Sequence, residues 1–170
     1  HIPNREDEGY GMNSNRIRKL KEEGVEVILT CDNGIAAIEE VDLAKSLGMT
    51  VVITDHHDIP YIEENGERKS IIPKGDAVIN PKQDDSYPFK ELCGAGIALK
   101  FSEQLVKNMG GNFQEFKYLY QFAAMATVCD VVELLDENRN EEEFSKGVDL
   151  VLQAYHMNPK GLDKLCLKLK

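Results

Sequence analysis

The stretch that decides the fold is residues 25–57. It begins with the apolar run Val25-Glu26-Val27-Ile28-Leu29-Thr30-Cys31, which is followed by the turn residues Asp32-Asn33-Gly34. The segment 35–47 has Ile38, Val41, Ala44 and Leu47 at helical spacing and ends at Gly48. A second apolar run, Thr50-Val51-Val52-Ile53-Thr54, then leads to Asp55-His56-His57. The first β-branched apolar run, 25–31, is typical of a strand that is buried on both faces, and 50–54 is a second strand. A helix between two such strands predicts a βαβ unit, in which the strands are parallel and the crossover is right-handed.

Helices and a third strand are predicted on either side of this unit. Asn13 can cap a helix over 13–23 that Gly24 stops, and the turn-forming residues of 58–75 predict a surface loop. Later elements are a strand at Ala77–Ile79, a helix over 94–109, a helix over 113–128 with Phe116, Leu119, Tyr120, Ala123 and Ala124 inside, and a helical remainder from residue 140. We therefore predict the α/β class, with a parallel sheet that carries helices on both faces.

Polar side chains follow both strands of the βαβ unit. Asp32 ends the first strand, and Asp55, His56 and His57 end the second. Open α/β sheets bind ligands at the carboxyl ends of their strands, so these residues should converge on one rim. Adjacent histidines there can face a metal and a substrate, while the preceding Asp fixes an imidazole tautomer. An ordinary pair of surface histidines is the alternative.

Three further places in the sequence are candidates for binding. Asp130 lies in the apolar stretch Thr127-Val128-Cys129-Asp130-Val131-Val132. A buried carboxylate without a partner is costly, so such an acid usually has a cation, a basic partner or a capping role. Gly94-Ala95-Gly96, at a predicted helix start, would let a phosphate approach backbone N–H groups, although capping or tight packing explains it too. Arg5 is either a phosphate contact or a solvated side chain.

The composition is that of a globular protein with an acidic excess. Of the 170 residues, 42% are hydrophobic and 29% are charged, and no apolar run approaches the roughly 20 residues of a membrane helix. The four cysteines lie far apart without a Cys-x-x-Cys pair, which favours free thiols in a reducing cytoplasm. The net charge of −10 leaves three explanations open: acids that hold divalent metal, a basic surface outside this sequence, or no nucleic-acid binding.

Six segments, in order, resemble the DHH superfamily of phosphoesterases, and within it the RecJ single-strand-specific exonucleases. Three of them resemble the second, third and fourth DHH motifs: 30–35 (TCDNGI), 54–57 (TDHH) and 128–132 (VCDVV). The others are Ile2-Pro3-Asn4-Arg5 with Glu8-Gly9-Tyr10-Gly11, Cys93-Gly94-Ala95-Gly96-Ile97-Ala98, and Glu137-Asn138-Arg139. The similarity spans nearly the whole chain.

The resemblance implies a role for each matching residue. Asp32, His56 and Asp130 would be ligands of two divalent ions, Mn²⁺ or Mg²⁺, with Asp32 bridging them. His57 would face the scissile phosphate, and Asp55 would support the histidines. Oxygen and imidazole ligands without thiolate suit these ions. A pair of such ions stabilises the attacking and leaving oxygens of an in-line displacement.

The sequence also departs from the family pattern. The first DHH motif carries an Asp-x-Asp element, and this sequence contains none. The nucleic-acid-binding domain that usually follows a DHH domain is absent as well. We therefore expect 1–170 to be a partial DHH phosphoesterase domain that is catalytically inactive alone. Such a truncation would expose a sheet edge and apolar surface.

The function that the resemblance implies is metal-dependent hydrolysis of single-stranded DNA from the 5′ end, in DNA repair and recombination. Single-stranded-DNA-binding protein and a helicase are candidate partners, the cytoplasm is the expected location, and no membrane is involved. Two alternatives stay open: a DHH phosphodiesterase acting on oligoribonucleotides or cyclic dinucleotides, and a non-catalytic replication scaffold. The segments Ile2-Pro3-Asn4-Arg5 and Glu137-Asn138-Arg139 weigh against the first alternative. The retained motif residues weigh against the second, because non-catalytic relatives tend to lose metal ligands.

Overall fold

The computed structural model describes residues 11–83 and 86–132. The chain divides into two compact units, His1–Pro88 and Phe89–Lys170. The first unit contains α1 (Ser14–Glu22), β1 (Val27–Leu29), α2 (Ile38–Ser46), β2 (Thr50–Thr54), β3 (Tyr61–Glu64), β4 (Glu67–Ser70) and β5 (Ala77–Ile79). The second contains α3 (Gly94–Asn108), a 3₁₀ helix (Phe113–Phe116) and α4 (Leu119–Cys129). None of the helices within the described ranges has the length and apolar character needed to span a bilayer. The helical remainder predicted from residue 140 lies outside these ranges.

The predicted βαβ unit and the α/β class are confirmed in the first unit. β1 pairs in parallel with β2, and β2 pairs in parallel with β5, which gives the sheet order β1-β2-β5. β2 and β5 have the predicted bounds. α2 begins at Ile38 rather than at Ile35, because Ile35 and Ala36 lie in a turn after the first strand.

Helix α1 is capped as the sequence predicts. The Asn13 side chain accepts hydrogen bonds from the backbone N–H groups of Asn15 (2.9 Å) and Arg16 (3.2 Å). Two donors that the first turn cannot satisfy internally are thereby paired. At the other end Gly24, with a φ of +85°, reverses the chain toward β1. A left-handed residue directly after a helix is typically glycine.

One face of the sheet packs against both helices of this unit. The core cluster consists of Ile17 from α1, Val41 and Ala44 from α2, Met49, and Val51 and Ile53 from β2. Because side chains alternate along a strand, only Ile28 of β1 reaches this cluster. The prediction that the 25–31 strand is buried on both faces is therefore wrong: Val27 and Leu29 are 58% and 53% exposed. β1 has three residues and lies at an edge of the described sheet.

The loop predicted over 58–75 contains a β-hairpin instead. β3 and β4 pair antiparallel and are joined by Asn65 and Gly66, whose φ angles are +55° and +83°. Two consecutive positive φ angles are the signature of a type I′ turn, and Asn-Gly is its preferred sequence. All eight strand residues are exposed. The hairpin was missed because its strands lack the apolar alternation that marks a half-buried strand.

The second unit is helical in its described part. Cys93 caps α3, and its Sγ accepts the Gly96 N–H at 3.4 Å. The helix predicted over 113–128 is split into a 3₁₀ turn and α4. Ala123 and Ala124 are buried as predicted, but Phe116 is 38% exposed because it lies on the separate 3₁₀ turn.

Candidate metal centre

The site residues of the first unit meet at the carboxyl ends of β1 and β2. Asp32 follows β1, and its backbone N–H donates to the Thr54 carbonyl at 3.0 Å. Asp55 follows β2, and its N–H donates to the Ile79 carbonyl of β5 at 3.0 Å. Parallel pairing thus continues past the formal strand ends. It brings both polar clusters to one rim, as the sequence predicts.

Asp32, His56 and His57 form a group that could hold a metal ion. One ligand atom from each of these residues lies within 4.8 Å of the others. Within the group, His56 Nε2 lies 3.1 Å from Asp32 Oδ1. The His56 side chain is 13% exposed and the Asp32 side chain 50%, so the group is open on the carboxylate side. A site made of one carboxylate and two imidazoles suits Mn²⁺ and related divalent ions better than it suits an ion that prefers thiolate ligands.

Asp55 is buried beneath this group, with 1% of its surface exposed. Its Oδ1 accepts the backbone N–H groups of His56 (2.8 Å) and His57 (3.2 Å) and contacts the Nδ1 of His57 at 2.7 Å. Its Oδ2 accepts the Ile35 N–H at 2.9 Å. Both oxygens are therefore committed to protein donors. The side chain fixes the histidines and is not turned toward an ion.

These contacts also decide the charge of Asp55. Burial raises the pKa of its carboxyl, but the hydrogen bonds from Ile35, the His57 ring, and the amides of His57 and His56 outweigh burial. The pKa of Asp55 consequently lies below its ordinary value. The group is a carboxylate at neutral pH, so the proton shared with His57 resides on the imidazole Nδ1.

The turn that carries Asp32 has an uncommon backbone. Asp32 has a φ of +62° and Gly34 a φ of +113°. A Cβ on Gly34 would lie 3.1 Å from both Ile53 Cγ2 and Thr30 Oγ1, so glycine is required at this position. Strained residues that persist at the end of a strand are often found at functional sites.

Asn80 follows β5 on the same rim and is not among the site residues predicted from the sequence. Its side chain is buried (6% of the residue exposed), and Nδ2 donates to the His57 carbonyl at 2.9 Å. Nearby, Lys82 Nζ contacts Asp58 Oδ1 at 2.8 Å, and this hydrogen bond lowers the pKa of the Asp58 carboxyl. The signal that could have found Asn80 is its place: a polar residue at the carboxyl end of a third parallel strand.

Asp130 belongs to the second unit and differs from expectation. It is the C-cap of α4, its backbone N–H donates to the Ala126 carbonyl at 2.8 Å, and the residue is exposed. The apolar neighbours in sequence suggested a buried carboxylate, and that interpretation is wrong, since Asp130 is exposed at the C-cap position. Val131 follows with a φ of +58°. The metal-ligand role of Asp130 stays a prediction from the motif.

The proposed phosphate-binding residues receive no direct test. Gly94 and Gly96 are buried at the start of α3, and the Gly96 N–H is already paired with Cys93 Sγ. This contact is the capping that the sequence analysis held as the alternative. Ala95 lies between the two glycines in the first turn of α3. Arg5 lies outside the described residues.

Known proteins resemble the chain over most of its length. The model of the DHH family, N-terminal domain, matches residues 1–129. The chain is 42% identical to the single-stranded-DNA-specific exonuclease RecJ of Bacillus subtilis (strain 168), over 140 residues that cover 82% of this chain and 16% of that protein. It is 34% identical to the protein of the same name from Escherichia coli (strain K12), over 81% of this chain and 24% of that one.

Two solved structures are also similar. One is exonuclease RecJ bound to manganese, with a TM-score of 0.68 and 28% identity, covering 88% of this chain and 34% of that one. The other is RecJ from Thermus thermophilus in complex with Mn²⁺, with a TM-score of 0.61 and 25% identity, covering 79% and 18%. The chain spans less than a quarter of the length of the two curated relatives above.

Proposed function

Because the chain belongs to the DHH family, we propose that it supplies part of the metal centre of a phosphodiesterase that degrades single-stranded DNA from the 5′ end. The observation that supports this most directly is the convergence of Asp32, His56 and His57 on one rim. The similarity to exonucleases of single-stranded DNA supports the substrate. DNA repair and recombination in the cytoplasm, alongside single-stranded-DNA-binding protein and a helicase, is the setting that we propose for it.

The metal ligands in this proposal are Asp32 and His56, and the resemblance to the fourth motif adds Asp130. Mn²⁺ is the preferred candidate, since two similar structures are manganese complexes, and Mg²⁺ suits the carboxylates as well. Bound divalent ions supply Lewis-acid stabilisation of the charge that develops on phosphate oxygens. The carboxylate side of the Asp32–His56 pair is exposed, which leaves a route for a phosphodiester to approach.

His57 acts on the substrate in this proposal, and Asp55 orients its ring. The Asp55 Oδ1 lies 2.7 Å from the Nδ1 of His57, and the carboxylate accepts the hydrogen bond from that nitrogen. Nε2 of a neutral His57 is then unprotonated and accepts a proton or hydrogen bond from water or substrate. Once a proton has been taken up from water, His57 can also donate a hydrogen bond to the scissile phosphate.

The experiment uses the full-length protein in which this sequence occurs, with single-stranded DNA labelled at the 5′ or the 3′ end. We expect Mn²⁺-dependent release of nucleotides that begins at the 5′ end. Asp32→Ala and His56→Ala should each lower the rate by at least about 100-fold, since each removes a ligand. Asp42→Asn, which changes an exposed acid of α2, is the matched control and should retain the wild-type rate. Wild-type rates in both ligand variants would refute the site.

The same assay separates the alternative functions. A phosphodiesterase of oligoribonucleotides or cyclic dinucleotides would hydrolyse those substrates at least as fast as single-stranded DNA. A replication scaffold would hydrolyse none of them. We expect the 170-residue chain alone to be inactive, because it contains no Asp-x-Asp element. Robust cleavage by the pure chain would contradict the expectation that the missing motif supplies metal ligands.

A further inference from the structure

Asn80 reaches the site from a strand that carries none of the family motifs. It follows β5, and the amide of its side chain is used at both ends. Nδ2 donates to the His57 carbonyl at 2.9 Å, and Oδ1 accepts the backbone N–H of Lys82 at 2.8 Å. A buried amide with a donor and an acceptor both satisfied is held in one orientation.

The contact completes the fixation of His57. The backbone N–H and the ring Nδ1 of His57 are held by Asp55, and its carbonyl is held by Asn80. The next residue is held as well, because Asp58 pairs with Lys82, two residues after Asn80. The turn after β5 therefore contacts the His57-Asp58 segment at two points. Of these the Lys82–Asp58 pair is the weaker restraint, since the Asp58 side chain is 92% exposed.

From this arrangement we propose that Asn80 is a positioning residue that sets the placement of His57 at the reaction centre. The proposal rests on the proposed function, in which His57 acts on the substrate. A catalytic side chain displaced by about 1 Å loses on the order of 100-fold in rate. The donor of Asn80 is the group that matters, because no other hydrogen bond to the His57 carbonyl is present in the described part of the chain.

Gln83 offers a matched control from the same turn. Its Nε2 donates to the Val78 carbonyl at 2.8 Å and to the Asn80 carbonyl at 3.3 Å. These bonds stabilise the end of β5 but do not reach His57. If Asn80 only stabilises the turn, substitutions of Asn80 and of Gln83 should change kcat equally.

The test compares Asn80→Asp and Asn80→Ala with Gln83→Ala in the full-length protein. Asn80→Asp keeps the shape and the acceptor for Lys82 but replaces the donor by a carboxylate that faces the His57 carbonyl. We expect kcat for Mn²⁺-dependent hydrolysis of single-stranded DNA to fall about 10- to 100-fold in Asn80→Asp, with KM changed less than about 3-fold. The kcat of Asn80→Ala should fall less than that of Asn80→Asp, because alanine removes the donor without adding a carboxylate that repels the His57 carbonyl. Gln83→Ala should keep the wild-type kcat. A kcat in Asn80→Asp equal to that of Gln83→Ala, at equal folded fraction, would overturn the proposal.

A second measurement does not depend on activity. The peptide group between His57 and Asp58 contains the carbonyl that Asn80 binds, so the His57 carbonyl carbon and the Asp58 amide nitrogen report on this bond in NMR spectra of the 170-residue chain. We expect both resonances to shift in Asn80→Asp and to stay in place in Gln83→Ala. If the wild-type protein hydrolyses no phosphodiester, the proposed function fails, while the two resonances still decide whether Asn80 places His57. Unchanged resonances in Asn80→Asp would refute the placement itself.

Discussion

Oδ2 of Asp55 accepts a hydrogen bond from the backbone N–H of Ile35 at 2.9 Å. This contact joins the loop after β2 to the loop after β1, and the latter carries Asp32. The other oxygen of the same carboxylate holds His56 and His57. One buried acid therefore holds the two loops that carry the candidate ligands Asp32 and His56.

Asp55→Asn should destabilise the fold and disturb the site together. The amide cannot accept from all four donors, and a buried donor left without a partner costs about 1–3 kcal/mol. We expect the free energy of unfolding, measured in urea, to fall by that amount. Asp58→Asn is the control: its side chain is 92% exposed, and its change should stay within about 0.5 kcal/mol. Equal losses in the two variants would contradict the central role of Asp55.

The lowered pKa of Asp55 makes the stability of the first unit depend on acid pH. Its folded-state pKa lies below the ordinary 3.8. The carboxylate therefore contributes stability above that pH, and the contribution is lost as pH falls through the folded-state value. The difference in unfolding free energy between wild type and Asp55→Asn should have its full size near pH 6 and should become smaller below about pH 4. A difference that is constant down to pH 3 would show that the folded-state pKa is not lowered.

Gly34→Ala should distort the turn that presents Asp32. The φ of +113° lies outside the range of L residues, and the new Cβ would crowd Ile53 and Thr30. We expect a loss of about 2 kcal/mol or more in unfolding free energy. Gly48→Ala, also at positive φ but with nothing within 4 Å of the added Cβ, should cost about 1 kcal/mol. Equal costs at the two positions would mean that the crowding around Gly34 is relieved by movement.

Val131→Gly should stabilise the second unit. A β-branched residue at a φ of +58° is strained by about 1–2 kcal/mol, part of which the flexibility of glycine in the unfolded state cancels. The expected result is a gain of up to about 1 kcal/mol, measured as a higher Tm. A lower Tm would show that the Val131 side chain makes contacts that outweigh its backbone strain.

Metal binding by the chain itself should be weak and should depend on Asp32. We expect Mn²⁺ to release or absorb measurable heat on titration and to raise the Tm, because a ligand that binds the folded state stabilises it. Asp32→Ala should abolish both effects, and Asp42→Asn should abolish neither. Equal Mn²⁺ binding in wild type and Asp32→Ala would place the ion elsewhere.

The sequence predicted the parts of the site that follow from strand order. Neighbouring strands linked by a crossover helix are expected to be parallel, so Asp32 and the Asp55-His56-His57 run were expected to meet at their carboxyl ends. The supporting role of Asp55 stays a prediction, for which its contact with the Nδ1 of His57 is the structural basis. These features depend on the local pattern of apolar and polar residues and on the general rules for the handedness and direction of strand–helix–strand connections.

The features that the sequence did not predict depend on partners distant in the chain. Asn80 binds His57 across 23 positions; its place after a third parallel strand predicts that it lies on the rim, but not that it binds His57. The exposure of Val27 and Leu29 depends on which elements cover the sheet, which alternation alone does not reveal. Asp130 is exposed at the C-cap of α4 although its neighbours in sequence are apolar.

The left-handed backbone at Asp32 has a consequence for how this family can diverge. Aspartate and asparagine tolerate a positive φ better than most other L residues, and glycine adopts it freely. Of these residues only aspartate also offers a negatively charged oxygen to a cation. Backbone geometry and charge thus favour Asp at this position for two independent reasons. A descendant that exchanged it for Asn would keep the turn and a side-chain oxygen, so the loss of a negative charge from the candidate metal site would leave little trace in the architecture.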